Sequence, residues 1–327
     1  MKILLTGAAG FVGSCVAQVL LERGNAVIGL DNVNDYYSPL LKRDRLAWLN
    51  KYRRFTFCDV NIADKEALRA TCANQDISAI VHLAAQAGVR YSIINSDAYV
   101  LSNLQGHFEV LELARDRQIQ SIVYASSSSV YGSNSSIPFR ETDMTDRQVS
   151  FYGATKKSNE VMSQTYARLY GISLTGLRFF TVYGPWGRPD MAYWIFAQQI
   201  LSGQPIRLFN HGDMARDFTF VSDIVAGVIA ALDRPAYSVA GSVPHRIYNL
   251  GYGKPQSLLV LVQCLERALG MTAEKQFEDM PAGDVERTWA DVTRAQEELG
   301  YTPKVSLQEG IGAFVDWYRP VWKRYLT

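Results

Sequence analysis

The sequence predicts an α/β protein, with a doubly wound parallel sheet followed by a smaller mixed α/β lobe towards the carboxyl terminus. Three observations support this class. Short apolar runs alternate with helical patterns over the first 180 residues, a glycine-rich turn follows the first run, and the rhythm changes beyond residue 180. A chain of 327 residues, 48% hydrophobic and 20% charged, can bury a core of this size.

Six apolar runs are the predicted strands of the sheet, at residues 2–6, 26–30, 55–58, 79–82, 121–125 and 173–177. Helical patterns fill the intervals between them. Gly24-Asn25 stops the first helix, and Asp64-Lys65-Glu66 opens a later one. Strands that alternate with helices are joined by right-handed crossovers, so we expect a parallel sheet covered on both faces.

The segment from Gly184 to Pro189, rich in Gly and Pro, marks the expected boundary between two domains. We assign residues 1–180 to the first domain, and residues 181–216 and 251–327 to a second lobe. Residues 217–250, which contain a strand end and an apolar helix, are expected to return to the first domain. Apolar positions at helical spacing predict a last helix within residues 306–322.

Charge and composition exclude several classes of function. Lys and Arg number 33 against 32 Asp and Glu, which is too balanced for general nucleic-acid binding. The apolar runs are too short to span a membrane, and the amino terminus reads as a buried strand rather than a signal peptide. The four cysteines and four histidines show neither metal-ligand nor disulfide spacing, so we expect a cytoplasmic protein without a metal.

Gly7, Gly10 and Gly13 form a GxxGxxG turn between the first strand and the first helix. Glycines here permit a tight turn and close approach of the backbone to a pyrophosphate, which would face the helix amino terminus at Phe11 and Val12. Asp31 follows the second strand, where a carboxylate binds ribose hydroxyls and repels a 2′-phosphate. The pattern therefore predicts NAD rather than NADP. Further contacts are expected beyond the third and fourth strands, at Asp59, Val60, Leu83, Ala84, Ala85 and Gln86.

Tyr152 and Lys156 lie four residues apart on one predicted helical face, and Ser127 follows the fifth strand. A tyrosine has an ordinary pKa of about 10, so we expect the nearby Lys156 cation and a positive nicotinamide ring to favour its phenolate. Tyr152 would then accept a hydroxyl proton while hydride leaves the carbon, Lys156 would hold the nicotinamide ribose, and Ser127 would bind the substrate oxygen.

Together with Asn103 and the Ser127-x-x-x-Tyr131-Gly132 stretch, these motifs resemble the extended short-chain dehydrogenase/reductase family of nucleotide-sugar enzymes, over nearly the whole chain. The resemblance implies a seven-stranded Rossmann domain that binds NAD, with further cofactor contacts at Asn32, Asn103 and Phe180. It also implies a nucleotide-sugar lobe and a homodimer formed through helices near residues 97–116 and 151–170.

Residues 86–92, 178–192 and 209–218 resemble the UDP-glucuronate 4-epimerases more closely. That resemblance implies C4 epimerisation of UDP-glucuronate to UDP-galacturonate through a transient 4-keto sugar, with tightly bound NAD. Ser127, Ser128 and Thr181 would bind the C6 carboxylate, and Arg90 and Arg188 would add positive charge. Phe209 would face the uracil, Arg216 would pair with the diphosphate, and Asp284 would bind a ribose hydroxyl.

Three alternatives remain open at this point. A UDP-glucose 4-epimerase shares the catalytic residues, although such enzymes typically carry asparagine where Thr181 stands. A UDP-glucuronate decarboxylase usually has a glutamate near Ser128-Ser129, and a non-catalytic NAD-binding protein would have lost the Tyr-Lys pair. A phosphate role for Arg287 is undecided, since relatives carry their arginine just before the Gly-Asp pair.

Overall fold

The computed structural model describes residues 1–237, 242–280 and 285–326. Its strands, in chain order, are β1 (Lys2–Thr6), β2 (Ala26–Asp31), β3 (Phe55–Asp59), β4 (Ala79–His82), β5 (Ser121–Ser127), β6 (Ser173–Phe179), β7 (Thr181–Tyr183), β8 (Ile206–Phe209), β9 (Ala215–Arg216), β10 (Phe218–Phe220), β11 (His245–Leu250), β12 (Gln256–Ser257) and β13 (Lys275–Glu278). Its α-helices are α1 (Phe11–Glu22), α2 (Pro39–Leu49), α3 (Lys65–Cys72), α4 (Tyr91–Ile94), α5 (Ser96–Tyr99), α6 (Gly106–Asp116), α7 (Phe151–Tyr170), α8 (Ala192–Leu201), α9 (Val221–Asp233), α10 (Leu258–Leu269), α11 (Thr293–Leu299) and α12 (Leu307–Tyr318).

Seven parallel strands form the central sheet, in the order β11-β6-β5-β4-β1-β2-β3. Residues of α1, α2, α9 and α11 pack on one face of the sheet, and residues of α3, α6 and α7 pack on the other. The order reverses direction between β1 and β4, which opens a crevice at their carboxyl ends. The predicted doubly wound parallel sheet is confirmed.

Four of the strands extend one or two residues past their predicted ends. β2 reaches Asp31, β3 reaches Asp59, β5 reaches Ser127 and β6 reaches Phe179. The reason is pairing: Ser127 lies opposite Phe179, and Asp31 lies opposite Asp59, so polar residues continue the ladder after the apolar pattern has ended. Asp31 and Ser127 are therefore held by sheet hydrogen bonds rather than by loops.

A second hydrophobic core lies among α8, α10, α12 and β8. Strand β13 pairs with β8, β12 pairs with β9, and β10 pairs with β7. Serine side chains cap two of the helices, since Ser257 accepts from Val260 at the start of α10 and Ser306 forms a capping box with Glu309 on α12. The domain boundaries at residues 180, 216 and 250 stay a prediction, although β11 does lie in the central sheet.

Candidate active site

The glycine motif, which runs from the end of β1 into the first turn of α1, admits no side chain at two of its positions. Gly7 has φ +76°, and a Cβ there would lie 2.7 Å from the Ala84 nitrogen. A Cβ on Gly13 would lie 1.9 Å from the Gly7 carbonyl oxygen. The first turn of α1 is the uncharged Phe11-Val12-Gly13, so its amides and the helix dipole favour an anion. This cradle fits the diphosphate of a dinucleotide.

Asp31, the last residue of β2, accepts hydrogen bonds from two backbone amides. The Ala9 N–H donates to Oδ2 at 3.0 Å, and the Val33 N–H donates to Oδ1 at 2.9 Å. Burial raises the pKa of Asp31, while these hydrogen bonds and the charges of Lys42 and Arg45 oppose the rise. The carboxylate is thus fixed beside the glycine loop, in position to accept from ribose hydroxyls.

A cavity runs along the carboxyl ends of the central strands, and we call it the strand-end cavity. Fifteen of the residues predicted to bind the cofactor line it: Gly7, Gly10, Phe11, Val12, Gly13, Asp31, Asn32, Val60, Leu83, Ala84, Ala85, Gln86, Tyr152, Lys156 and Phe180. The sequence does not indicate several further lining residues, among them Asn34, Tyr36, Tyr37, Lys42, Asn61 and Ile62. Those on α2 and its preceding loop belong to no local motif that could have indicated them.

Two predicted cofactor residues lie outside this lining. Asp59 is exposed at the end of β3. Asn103 is buried behind the wall, where its Oδ1 accepts from the Gln86 N–H at 2.8 Å and its Nδ2 donates to the Gln86 carbonyl at 3.0 Å and to Thr155 Oγ1 at 3.0 Å. Asn103 therefore ties a lining residue to α7 instead of forming the cavity surface itself.

Tyr152, Lys156 and Ser127 come together at one end of the strand-end cavity. Lys156 Nζ donates to the Ala125 carbonyl at 2.9 Å, and burial lowers the pKa of Lys156 to about 8. Burial also raises the pKa of the Tyr152 phenol, which is opposed by a hydrogen bond with Ser127 and by the charge of Arg188. The cation that favours the Tyr152 phenolate in this geometry is Arg188, while Lys156 Nζ donates to a β5 carbonyl.

The end of β5 is held by a buried ion pair. Ser126 Oγ donates to Glu160 Oε1 at 2.7 Å, and Arg178 Nε donates to the same oxygen at 2.8 Å. The Arg178 and Glu160 side chains are 4% and 5% exposed. Ser127 Oγ accepts from the Ser129 N–H at 3.1 Å, which fixes its hydroxyl group. This network sets the position of Ser127 relative to α7.

A second cavity, which we call the arginine-rich cavity, adjoins the first. It is lined by seven of the residues predicted to bind substrate: Arg90, Ser127, Ser128, Thr181, Arg188, Phe209 and Arg216. The predicted residue Asp284 lies outside the described residues. Arg207 and Arg287 also line the cavity. Arg287 therefore lies at this site, although it follows the Gly-Asp pair in the sequence.

Several of these arginines already contact protein groups. Arg207 is paired with Glu278, and Arg287 Nη2 lies 3.2 Å from Asp213 Oδ1. Arg216 Nη1 donates to the backbone carbonyls of Ala215 at 3.0 Å and Glu286 at 2.9 Å. Positive charge from several separate segments therefore converges on one cavity.

Phe209 contacts two of the cations that line the arginine-rich cavity. The Arg90 guanidinium lies 4.6 Å from the centre of the Phe209 ring, and that of Arg207 lies 5.5 Å away. Cations at this distance are attracted to the electron-rich face of an aromatic ring. A base that stacked on Phe209 would share the ring with these guanidinium groups.

The two cavities meet at a set of shared lining residues: Tyr36, Ser127, Tyr152, Phe179, Phe180, Arg188 and Met191. A ligand in one cavity and a ligand in the other would touch at this junction. Tyr152 can exchange a proton with a ligand hydroxyl there, and Ser127 can hydrogen-bond the same oxygen. The junction thus places a proton acceptor, Tyr152, at the point where the two ligands would touch.

The sheet order, the glycine cradle and the Tyr-Lys-Ser junction define a nucleotide-dependent enzyme of the extended short-chain dehydrogenase/reductase type. Residues 3–251 match the NAD dependent epimerase/dehydratase family, and the chain belongs to that family. None of the helices in the described part of the chain has the length and apolar character that a bilayer crossing demands.

Individual relatives are similar over nearly the whole chain. UDP-glucuronate 4-epimerase 4 of Arabidopsis thaliana is 50% identical across 97% of this chain and 75% of its own length. The crystal structure of UDP-glucuronic acid 4-epimerase from Bacillus cereus, in complex with UDP-glucuronic acid and NAD, is 34% identical and superposes with a TM-score of 0.89 over 98% of this chain and 100% of its own. The UDP-glucose 4-epimerase of Thermotoga maritima, solved with UDP-glucose, is 30% identical with a TM-score of 0.89, over 98% and 100% of the two chains.

Proposed function

We propose that this protein is an NAD-dependent nucleotide-sugar epimerase that interconverts UDP-glucuronate and UDP-galacturonate at C4. The observation that carries the proposal is the junction, where Tyr152 and Ser127 line both the strand-end cavity and the arginine-rich cavity. The similarity to UDP-glucuronate 4-epimerases over 97% of the chain supports the choice of substrate.

The residues of the strand-end cavity fit NAD. The glycine cradle and the first amides of α1 would hold the diphosphate, and Asp31 would bind the adenosine ribose. Lys156 would bind the nicotinamide ribose, since its buried ammonium lies beside Tyr152 in the cavity wall. When bound, NAD supplies the hydride acceptor and donor that the reaction at C4 needs.

Tyr152 and Ser127, at the junction, have different roles at C4 of the sugar. Tyr152 takes the proton of the C4 hydroxyl and later returns it, while Ser127 hydrogen-bonds the C4 oxygen in both states. The charge of Arg188 and the hydrogen bond with Ser127 favour the phenolate of Tyr152, against the burial that raises its pKa. Proton transfer therefore depends on groups from both cavities.

Substrate binding is assigned to the arginine-rich cavity. Arg216 and Arg287 would contact the diphosphate, Phe209 would contact the uracil, and Ser128 and Thr181 would hydrogen-bond the C6 carboxylate. A fixed carboxylate also opposes loss of CO2 from the β-keto acid formed during the reaction. A Thr181→Ala variant should accordingly release more CO2 and pentose nucleotide than the wild type.

A second candidate is a 4-epimerase that prefers the neutral UDP-glucose. It is favoured by one observation, which is that Arg188 is already paired with a protein carboxylate, that of Asp190. The deciding experiment incubates the purified protein with UDP-glucuronate and, separately, with UDP-glucose, without added reductant, while NMR follows the sugar. UDP-galacturonate as the sole product of the first reaction supports the proposal. Pentose with CO2, or turnover of UDP-glucose alone, would contradict it.

Replacing Tyr152 with Phe tests the role of the phenol directly. Because the proton acceptor is lost, we expect the rate to fall by about 10²- to 10⁴-fold, while bound NAD is retained. Tyr170→Phe, on the exposed end of the same helix, is the matched control and should keep full activity. Equal activity of the two variants would show that Tyr152 is not the proton acceptor.

We further propose a cytoplasmic homodimer. Cys15, Cys58, Cys72 and Cys264 are free thiols, which suits a reducing compartment. The helices expected to pair expose apolar side chains, with Leu101 49%, Val161 50% and Leu169 64% exposed. Light scattering of the purified protein should give twice the mass of 36.6 kDa, and a Leu169→Glu variant should shift it towards the monomer.

A further inference from the structure

Arg188, at the junction of the two cavities, is held by a carboxylate of its own loop. Its Nε donates to Asp190 Oδ1 at 3.0 Å, and its Nη2 donates to Asp190 Oδ2. The Tyr36 hydroxyl donates to the same Oδ2 at 3.0 Å. The Arg188 and Asp190 side chains are 21% and 30% exposed, so the pair is only partly open to solvent.

This arrangement occupies one edge of the guanidinium through which arginine binds carboxylates. Two parallel N–H···O bonds from one edge of an arginine are the geometry in which it binds a carboxylate ligand. Asp190 makes those two bonds within the protein. A substrate carboxylate that approached the same edge would have to displace Asp190 or share the guanidinium with it.

The position of Arg188 places this competition next to the reacting carbon. Arg188 lines both cavities together with Tyr152, and its charge acts on the Tyr152 phenol. With C4 held at Tyr152, the C6 carboxylate is attached to the adjacent ring carbon, C5. That carboxylate would therefore enter the cavity that the Arg188–Asp190 pair lines, where two like charges would repel each other.

We propose that Asp190 is a specificity-determining residue: it is a carboxylate built into the site that competes with the substrate carboxylate for Arg188 and restrains the preference for anionic over neutral sugars. The inference rests on the proposed function, because it takes a UDP-uronate as the ligand. When a neutral sugar is bound, Asp190 supplies the counter-charge for the partly buried Arg188 cation, which would otherwise be unpaired.

The test measures binding of UDP-glucuronate and of UDP-glucose to the NAD-loaded protein by titration calorimetry. Asp190→Asn removes the competing charge while keeping the shape of the side chain. We expect the affinity ratio of UDP-glucuronate to UDP-glucose to rise by about three- to tenfold over the wild type. Asp213→Asn is the matched control, since it removes the carboxylate that faces Arg287 at the exposed rim, and its ratio should change by less than about twofold.

Two further variants guard against a loss of folding in Asp190→Asn. Tyr36→Phe removes the hydrogen bond that anchors Asp190 Oδ2, so it should raise the ratio in the same direction by a smaller factor. Adding Arg188→Gln to Asp190→Asn should abolish the rise, because the contested cation is gone. A ratio that stays constant or falls in Asp190→Asn and in Tyr36→Phe would overturn the inference.

Failure of the inference and failure of the proposed function give different results. A wild-type protein that epimerises UDP-glucuronate, with an unchanged affinity ratio in the variants, retains the proposed function and loses only the role of Asp190. A wild-type protein that binds neither UDP-sugar would overturn both.

Discussion

The strand-end cavity and the arginine-rich cavity differ in the chemical groups that form their walls. The first is shaped by backbone, with glycines that approach carbonyls and amides so closely that a Cβ would overlap them. The second is shaped by charged side chains, among them Arg188, Arg207 and Arg287, each balanced by a nearby carboxylate. Steric fit decides what the first accepts, and charge balance decides what the second accepts. A single methyl group in the glycine motif should therefore damage the first cavity, while the affinity of the second should be most sensitive to changes of charge.

The largest effect is expected from Gly13→Ala. The new Cβ would lie 1.9 Å from the Gly7 carbonyl oxygen, so the glycine loop or α1 must shift. We expect a loss of about 3–5 kcal/mol in the free energy of unfolding and loss of bound NAD. Urea unfolding and the absorbance of co-purified nucleotide measure the two effects.

Gly312→Ala on α12 is the control for this substitution. A Cβ at Gly312 would project into open space, so alanine there should leave the stability unchanged or raise it slightly. If both alanine variants kept NAD and wild-type stability, the strand-end cavity would not depend on close backbone approach.

The same contrast explains how much of the site could be predicted from the sequence. The glycine loop, Asp31 and the Tyr152/Lys156 pair are local patterns with fixed spacing, so the sequence indicates them directly. The partners of two of the arginines are set by tertiary packing: Glu278 is 71 residues from Arg207, and Asp213 is 74 residues from Arg287. No local pattern carries such information. The family resemblance implies a cofactor contact for Asn103, and the structure adds that its side chain holds Gln86 from behind the cavity wall.

The fold was predictable for a related reason. Strands of a parallel sheet are buried on both faces and read as apolar runs, as Ala79–His82 does. The predicted strands ended before Asp31 and Ser127, because pairing with a neighbouring strand extends β2 and β5 into polar residues that interrupt the apolar pattern. These polar ends are the positions that face the ligand crevice.

Arg45 connects the two cavities, and replacing it should weaken both. This fully buried residue of α2 donates to the Ala9 carbonyl at 2.9 Å and to the Gly187 carbonyl at 2.8 Å, and it also donates to the Trp186 carbonyl. It thereby joins the glycine loop to the loop that carries Arg188. Arg45→Lys keeps the charge but cannot reach all these acceptors, so we expect a loss of about 2–3 kcal/mol in stability.

The functional readout for Arg45→Lys is binding at both sites. Retention of NAD and affinity for UDP-glucuronate should fall together. Arg43→Lys, an exposed arginine of the same helix, should leave both unchanged. A variant that lost stability without weakening either ligand would show that Arg45 is only part of the core.

The smallest predicted effect is a loss of stability in acid, and it compares a buried histidine of the central sheet, His82, with an exposed one, His211. His82, at the end of β4, is buried, and burial together with the charge of Lys156 lowers its pKa from 6.5 to about 3. Thr6 Oγ1 lies 2.7 Å from His82 Nδ1 and also accepts the Ala84 N–H, so its own proton is available to that nitrogen. Protonating Nδ1 would break this hydrogen bond and place a charge in the sheet. His211, beside the arginine-rich cavity, is 69% exposed at its side chain.

The unfolded chain therefore binds a proton at His82 between pH 6.5 and 3 that the folded protein does not. The stability that depends on a neutral His82 is complete above pH 6.5 and is lost as the pH falls towards 3, by about 1 kcal/mol per pH unit. Urea unfolding at steps between pH 6.5 and 5 should show a shallower decline in His82→Asn than in the wild type, whereas His211→Gln should follow the wild type. Parallel declines in all three proteins would mean that His82 does not carry the loss of stability in acid.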